Sequence, residues 1–306
     1  MTSLHGIFFK IGAVLVFIVM VSLIKVLADT MPPGQIVFFR SLFAMPVILL
    51  WLAPRGEIRE MLHTNMPWGH VGRGTVGVLA MGLTFAGLAY LPLPEVTAIG
   101  YAAPLLTVIF AAFLLGERVG AYRLGAVILG LFGVLIVLSP RLSLNAEDFT
   151  EGETLGAALV LSGAVFAALA QVFVRKLVAT ETTSAIVFWF SATAMGLSLL
   201  SLPFGWVIPT PTEALLVVLV GLLGGFAQIL LTTGFRWADA SVIAPFDYVS
   251  ILFAMAIGYW VFSEVPTLTM IGGATLVVFA GMLIIWRERQ LAIARAQLLK
   301  AAPPNC

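Results

Sequence analysis

Val37-Phe38-Phe39-Arg40-Ser41, running on to Ala44-Met45, returns 150 residues later as Val187-Phe188-Trp189-Phe190-Ser191, running on to Ala194-Met195. Lys25 falls on Arg175 at the same spacing. Further along, at a spacing of 147, Leu115-Gly116-Glu117 falls on Phe262-Ser263-Glu264, Tyr101 on Tyr248, Tyr90 on Trp237 and Gly125 on Gly272. The identities are few, but they keep their order along most of each half, which is the signature of an internal duplication.

The duplicated unit is apolar. The chain has 306 residues, 61% hydrophobic and 10% charged, with a mean hydropathy of +1.09. A water-soluble fold is about 25% charged, so this chain has too few polar side chains to cover a surface in water. A lipid-facing surface removes the conflict, because acyl chains are as apolar as leucine.

A membrane helix needs roughly 20 apolar residues. Runs of that kind lie at 7–28, 35–53, 72–90, 94–115, 122–139, 154–177, 183–202, 213–235, 241–263 and 268–286. The expected fold is an all-α membrane protein of ten transmembrane helices. Its halves are 7–139 and 154–286, followed by a cytoplasmic tail at 287–306. Five is an odd number, so the second copy enters the membrane inverted relative to the first. The first run is too long for a signal peptide and has a counterpart in the second half.

Lys and Arg orient the bundle, because cytoplasmic loops are enriched in them. Lys10, Arg55, Arg59, Arg73, Arg118, Arg123, Arg175, Lys176, Arg236, Arg287, Arg289, Arg295 and Lys300 fall on the side of the termini. Only Lys25, Arg40 and Arg141 fall on the other. The expectation is a multi-pass protein of a bacterial inner membrane with both termini in the cytoplasm.

Several functions lose their basis here. No basic run is interleaved with aromatics, so nucleic acid is not an expected partner. The single cysteine, Cys306, and the histidines His5, His63 and His70 make no metal-ligand spacing. No phosphate loop, H-E-x-x-H or G-x-S-x-G is present. No catalytic residue, metal or cofactor is expected, and the lipid bilayer and a small-molecule substrate are the expected partners. Proton coupling and a homodimer are left open.

Inverted repeats suit alternating access, since one sequence in two conformations can exchange them and move the opening between faces. Gly221-x-x-x-Gly225, Ala126-x-x-x-Gly130 and Gly163-x-x-x-Ala167 allow close helix approach, whether as moving or as ordinary packing interfaces. Pro104 and Pro245 are read as equivalent breaks in the fourth and ninth spans, and such paired breaks point to a binding site.

Charges inside a span cost roughly 2.5–3.5 kcal/mol. Lys25 and Arg40 are expected about one turn in from the outer ends of their spans, within reach of Asp29 and Glu95 or snorkelling to headgroups. Asp247 is the deepest carboxylate: it either binds a cation or coupling proton, or pairs with Arg236 or Arg175. Gln171, Gln228, Tyr101 and Trp189 are uncharged candidates for a cavity wall, with interhelical packing the competing reading. Glu117 and Glu264 are expected to anchor helix ends.

The phrases Phe38-Phe39-Arg40-Ser41 with Ala44, and Leu114-Leu115-Gly116-Glu117 before a Gly-rich fifth span, resemble the drug/metabolite transporter superfamily, and within it the EamA-type members. The second copy departs from the pattern, with Phe190 for arginine and Ser263 for glycine. The resemblance implies a secondary carrier without ATP, its cavity lined by the third, fourth, eighth and ninth spans. It raises Tyr101, Gln228, Asp247 and Tyr248 as site residues. Members carry amino acids, drugs, nucleotide-linked metabolites and vitamins. Gly6-Ile7-Phe8-Phe9-Lys10 and Leu91-Pro92-Leu93-Pro94-Glu95 through Gly100-Tyr101 resemble a bacterial riboflavin-uptake branch. Riboflavin import therefore stands beside export of amino acids or related metabolites. A membrane receptor or assembly protein with no transport cycle is the reading of another class.

Overall fold

The computed structural model describes residues 2–116, 120–142, 151–178, 180–237 and 244–301, and their regular structure is helical throughout. The first half contains α1 (Thr2–Ala28), α2 (Pro33–Leu52), α3 (Pro67–Gly87), α4 (Leu93–Gly100), α5 (Ala102–Leu115) and α6 (Ala121–Leu142). The second contains α7 (Glu151–Val178), α8 (Thr183–Ser198), α9 (Pro211–Trp237), a 3-10 turn at Ala244–Tyr248 leading into α10 (Val249–Phe262), and α11 (Leu268–Ala301).

Among the described residues, eight helices are long and apolar enough to cross a membrane, counting α4 and α5 as one span. The α3 segment is diluted by glycines and by His70 and Arg73, and the ninth span is shortened to Phe246–Phe262 by its irregular start. Two helices start earlier than the apolar runs suggest. α1 begins at Thr2, so Lys10 lies two turns inside it, and α3 begins at Pro67, so Arg73 lies nearly two turns inside. Proline at the first helical position is a start signal, because its missing N–H would have no partner there.

The duplication is visible in the backbone. The fourth span breaks at Tyr101, with φ −67° and ψ −6°, and the ninth changes from 3-10 to α at Tyr248, with φ −68° and ψ −14°. α5 ends on Gly116 in the left-handed region and α10 ends on Ser263 in the same conformation. Serine there is strained by roughly 1–2 kcal/mol, yet the second copy keeps the geometry. The expected equivalence of Pro104 and Pro245 does not hold. Pro104 follows its break by three residues and Pro245 precedes its own by three, so the tyrosines are the matching points.

Packing repeats too. α1 lies against α9, and α7, its copy, lies against α3. α2 meets α8 and α6 meets α11, each of these pairs being one helix and its own copy. Gly74 packs on Thr193 while Gly221 packs on Phe43. Exchanging the halves maps each contact onto the other, which is the effect of a two-fold axis between them.

The three small-residue stretches all fall at helix crossings. Gly221 and Gly225 of α9 face Phe43 and Val47 of α2, Gly163 of α7 faces Thr84 of α3, and Gly130 of α6 faces Leu105 and Ala280. The tightest crossing is between α6 and α11. A Cβ at Gly273 would stand 2.6 Å from the Gly133 carbonyl oxygen, backbone that cannot swing aside, whereas one at Gly272 meets nothing within 4 Å. Gly273→Ala is therefore expected to lower thermal stability by about 1–3 kcal/mol, while Gly272→Ala leaves it unchanged or raises it slightly. Melting of the two variants in one detergent checks the pair.

Candidate functional site

Four ionic groups join α1 to the ninth span at its two ends. Near the start of α1, Lys10 Nζ pairs with Asp247 Oδ1 at 2.7 Å, the lysine buried and the carboxylate half-exposed. Near its end, Lys25 Nζ pairs with Glu264 Oε1 at 2.8 Å and donates to the Leu91 carbonyl at 2.7 Å. Glu264 Oε2 accepts from the Leu93 N–H at 2.9 Å, capping the first turn of α4. One carboxylate thus fastens α1, α4 and α10 together.

The Lys25 pairing corrects one expectation. Lys25 takes neither Asp29 nor Glu95, because Glu264 sits beyond the left-handed turn at Ser263, which directs the chain back across α10 (the Glu264 N–H donates to the Gly258 carbonyl at 2.8 Å). Asp247 takes Lys10, a partner the sequence did not suggest, because the early start of α1 brings Lys10 to its level; the side chains of Arg236 and Arg175 lie outside those described. Glu117 lies outside the described residues.

The two breaks meet. The rings of Tyr101 and Tyr248 stand edge to face with centroids 5.1 Å apart. The Tyr101 hydroxyl lies 2.5 Å from Ser250 Oγ and donates to the Asp247 carbonyl at 3.1 Å. The Tyr248 hydroxyl presses on Gly281 of α11, where any side chain would collide with it.

Arg40 behaves differently from its expected place near an outer vestibule. It is 6% exposed and lines an interior cavity with Ala44, Phe190, Ser191, Gly224 and Gln228. These residues come from α2, α8 and α9, the second, seventh and eighth spans. The free space is about 10 Å³, room for roughly one water. Behind Phe190 stands Arg73 of α3, its guanidinium 3.5 Å from the ring centroid. The structure therefore brings Arg40 and Gln228 to one cavity and Tyr101, Tyr248 and Asp247 to another polar contact. Lys25 is held at a helix end. Gln171 is exposed on α7. Trp189 is half-buried with its ring 6.2 Å from His70.

Sequence reading missed Lys10, His70 and Arg73 as interior groups and treated Phe190 only as a lost arginine. The available signal was Pro67, which starts α3 early enough to carry His70 and Arg73 inside.

On the face formed by the 53–66 connection, Glu181 gathers the chain. Its Oε1 accepts from the N–H groups of Asn65 at 2.7 Å and Met66 at 2.9 Å and from the Thr64 hydroxyl at 3.2 Å, while Oε2 lies 3.6 Å from His70 Nε2. Burial pushes this carboxyl up, but the three donors, with His70 close by, together outweigh it and hold it below the ordinary carboxylate range. A lowered carboxylate stabilises the fold above the unfolded-state value and loses that contribution as pH falls through the folded one. Acidification through and below the ordinary carboxylate range is expected to lower the melting temperature more steeply in the native protein than in Glu181→Gln.

On the opposite face the Gln35 amide donates to the Val207 carbonyl at 2.7 Å and accepts from the Val207 N–H at 2.9 Å. That contact also ties the start of a span to a loop of the other half.

Two interlocked copies, with the breaks of the fourth and ninth spans in contact, define a multi-span membrane fold built on an inverted repeat. The EamA-like transporter family matches residues 4–139 and 154–286. The chain belongs to that family, whose named members move small metabolites. It is 31% identical over 279 residues to the pseudopaline exporter of Pseudomonas aeruginosa, covering 90% of this chain and 94% of the relative. It is 29% identical over 266 residues to an S-adenosylmethionine uptake transporter of Rickettsia bellii, covering 87% and 88%. A riboflavin transporter of Rhizobium johnstonii is 28% identical over 258 residues, covering 84% and 82%. A solved crystal structure shares the fold with a TM-score of 0.66 and 22% identity, over 94% of this chain and 98% of that one.

Proposed function

We propose that this protein is a secondary carrier, driven without ATP, that moves a small organic metabolite across a bacterial inner membrane by alternating access. The observation that carries this reading is the meeting of Tyr101 and Tyr248 at equivalent breaks of opposed helices. Irregular backbone inside a membrane is tolerated where it is enclosed by protein or lines a cavity. Its occurrence at matching points of inverted halves suits a site opened from either face.

In this reading the halves are 7–139 and 154–286, and 287–306 is a cytoplasmic tail. Both termini lie in the cytoplasm, as the distribution of Lys and Arg favours. The Lys25–Glu264 pair then closes the outer face, and the half-exposed Asp247 beside Lys10 faces the inner one. The named relatives differ in substrate and in direction, so neither passes directly to this chain.

Uptake into proteoliposomes tests the proposal, with labelled riboflavin and labelled amino acids run side by side, with and without a pH gradient. Saturable riboflavin entry competed by flavin analogues supports vitamin import through the aromatic contacts. Gradient-driven amino-acid movement supports export and proton coupling through Asp247. For a non-transporting receptor, engineered cysteines would never change the face from which they are labelled; Cys306, the single native thiol, is replaced first.

A further inference from the structure

Four described cations reach into this bundle, and they are of two kinds. Lys10 and Lys25 each have a carboxylate within 2.8 Å. Arg40 and Arg73 have none among the described residues. Arg40 Nε and Arg73 Nε and Nη1 are buried without a hydrogen-bond partner. A structural arginine in a bilayer is held by a carboxylate or by carbonyls. Leaving such a group unpaired is unfavourable by several kcal/mol, so these two call for another explanation.

Their placement suggests one. Arg40 is seven residues into α2 from one face, and Arg73 is six residues into α3 from the other. At about 1.5 Å per residue each enters some 10 Å, and the long side chains carry both heads toward the middle of the bilayer. There they bracket Phe190: Arg73 lies over its ring and Arg40 shares its cavity. Glycines make the room, since a Cβ on Gly224 would stand 3.2 Å from Arg40 Nε and one on Gly77 3.2 Å from Arg73 Nη1. The other polar group lining the cavity toward α9 is the uncharged amide of Gln228.

We propose that Arg40 binds a carboxylate of the transported metabolite in this cavity, with Arg73 adding a second positive charge from across the Phe190 ring, which makes the substrate an organic acid or a zwitterion bearing one. The planar guanidinium presents paired N–H donors at the spacing of carboxylate oxygens, and Phe190 holds Arg73 in position by stacking. The space of about 10 Å³ does not admit a carboxylate, so the site fills only when the halves part. This assignment rests on the carrier reading above.

The test is thermal unfolding of purified protein in lipid nanodiscs with acetate, succinate or L-glutamate. Acetamide and succinamide serve as neutral counterparts, and sodium chloride holds ionic strength equal throughout. A rise of several degrees with at least one carboxylate, absent from its amide and from chloride, is expected. Arg40→Gln and Arg73→Gln are each expected to remove that rise while leaving the ligand-free protein as stable as the native one or more so, since each deletes an unpaired buried charge. Equal shifts from amides or chloride, no shift from any carboxylate, or shifts that survive both substitutions would overturn the proposal. Flux of neutral compounds in liposomes alongside such a failure leaves the carrier standing without this site. Carboxylate-dependent stabilisation without flux of any compound leaves the site and removes the carrier.

Discussion

Arg40→Lys is expected to abolish transport almost as completely as Arg40→Ala. Lysine keeps the charge, so a substitution that merely preserved electrostatics would preserve function. The cavity, however, is shaped for a flat group: Gly224 lies against Arg40 Nε on one side and Phe190 lines the wall on another. A point-like ammonium offers neither the paired N–H geometry nor the reach. Truncating one partner of a buried, hydrogen-bonded charge pair costs about 2–5 kcal/mol. Uptake below saturation should therefore fall roughly thirty- to several-thousand-fold. Initial rates in liposomes, normalised to inserted protein, check this, and full activity with lysine would show that Arg40 only neutralises charge.

Glu264→Ala and Lys25→Ala should each open the face that the pair closes. The carboxylate does two jobs, binding Lys25 of α1 and the Leu93 N–H of α4, so its removal releases both helices at once. Breaking a buried pair by deleting one partner costs about 3–5 kcal/mol; this pair is partly exposed, so a smaller effect applies. Even about 1.4 kcal/mol changes the population of an open state tenfold. Ala98, fully buried in α4, is the place to read it: a cysteine there, in a Cys306→Ser background, should react with an impermeant thiol reagent at least tenfold faster in either variant. The double variant should react no faster than the single ones, because the two residues act as one contact. An unchanged rate would mean that the pair only trims the helix ends. The equivalent positions of the other half carry the same pair of charges, Arg175 and Glu117, and Glu117 lies outside the described residues.

The architecture was largely legible because it rests on apolar run length and on repetition, both carried by many residues at once. The match of Gly116 with Ser263 marked where the spans end, whereas the breaks were sought at Pro104 and Pro245 and lie instead at Tyr101 and Tyr248. Ionic partners were not legible. The apolar runs put Lys10 and Arg73 at the cytoplasmic edges of their spans, because such runs mark where hydrocarbon-like sequence starts, whereas helices start at caps and prolines several residues earlier. That single turn of difference moves a cation from the interface to the interior. The Lys25–Glu264 contact was beyond reach for another reason: it depends on a left-handed residue at Ser263, which no propensity favours. Phe190 shows a further limit. Comparing copies marks it as a defect in the repeat, while the fold uses it as the plate beneath Arg73.

The two unpaired guanidiniums also bear on the rhythm of the cycle. In this reading an empty carrier brings both uncompensated charges through its closed form, whereas a loaded one crosses with a counter-charge beside Arg40. The return of the unloaded protein is then the slow half of each turnover, and one-for-one swapping outruns net movement. Labelled substrate preloaded in vesicles should leave faster when unlabelled substrate is supplied outside.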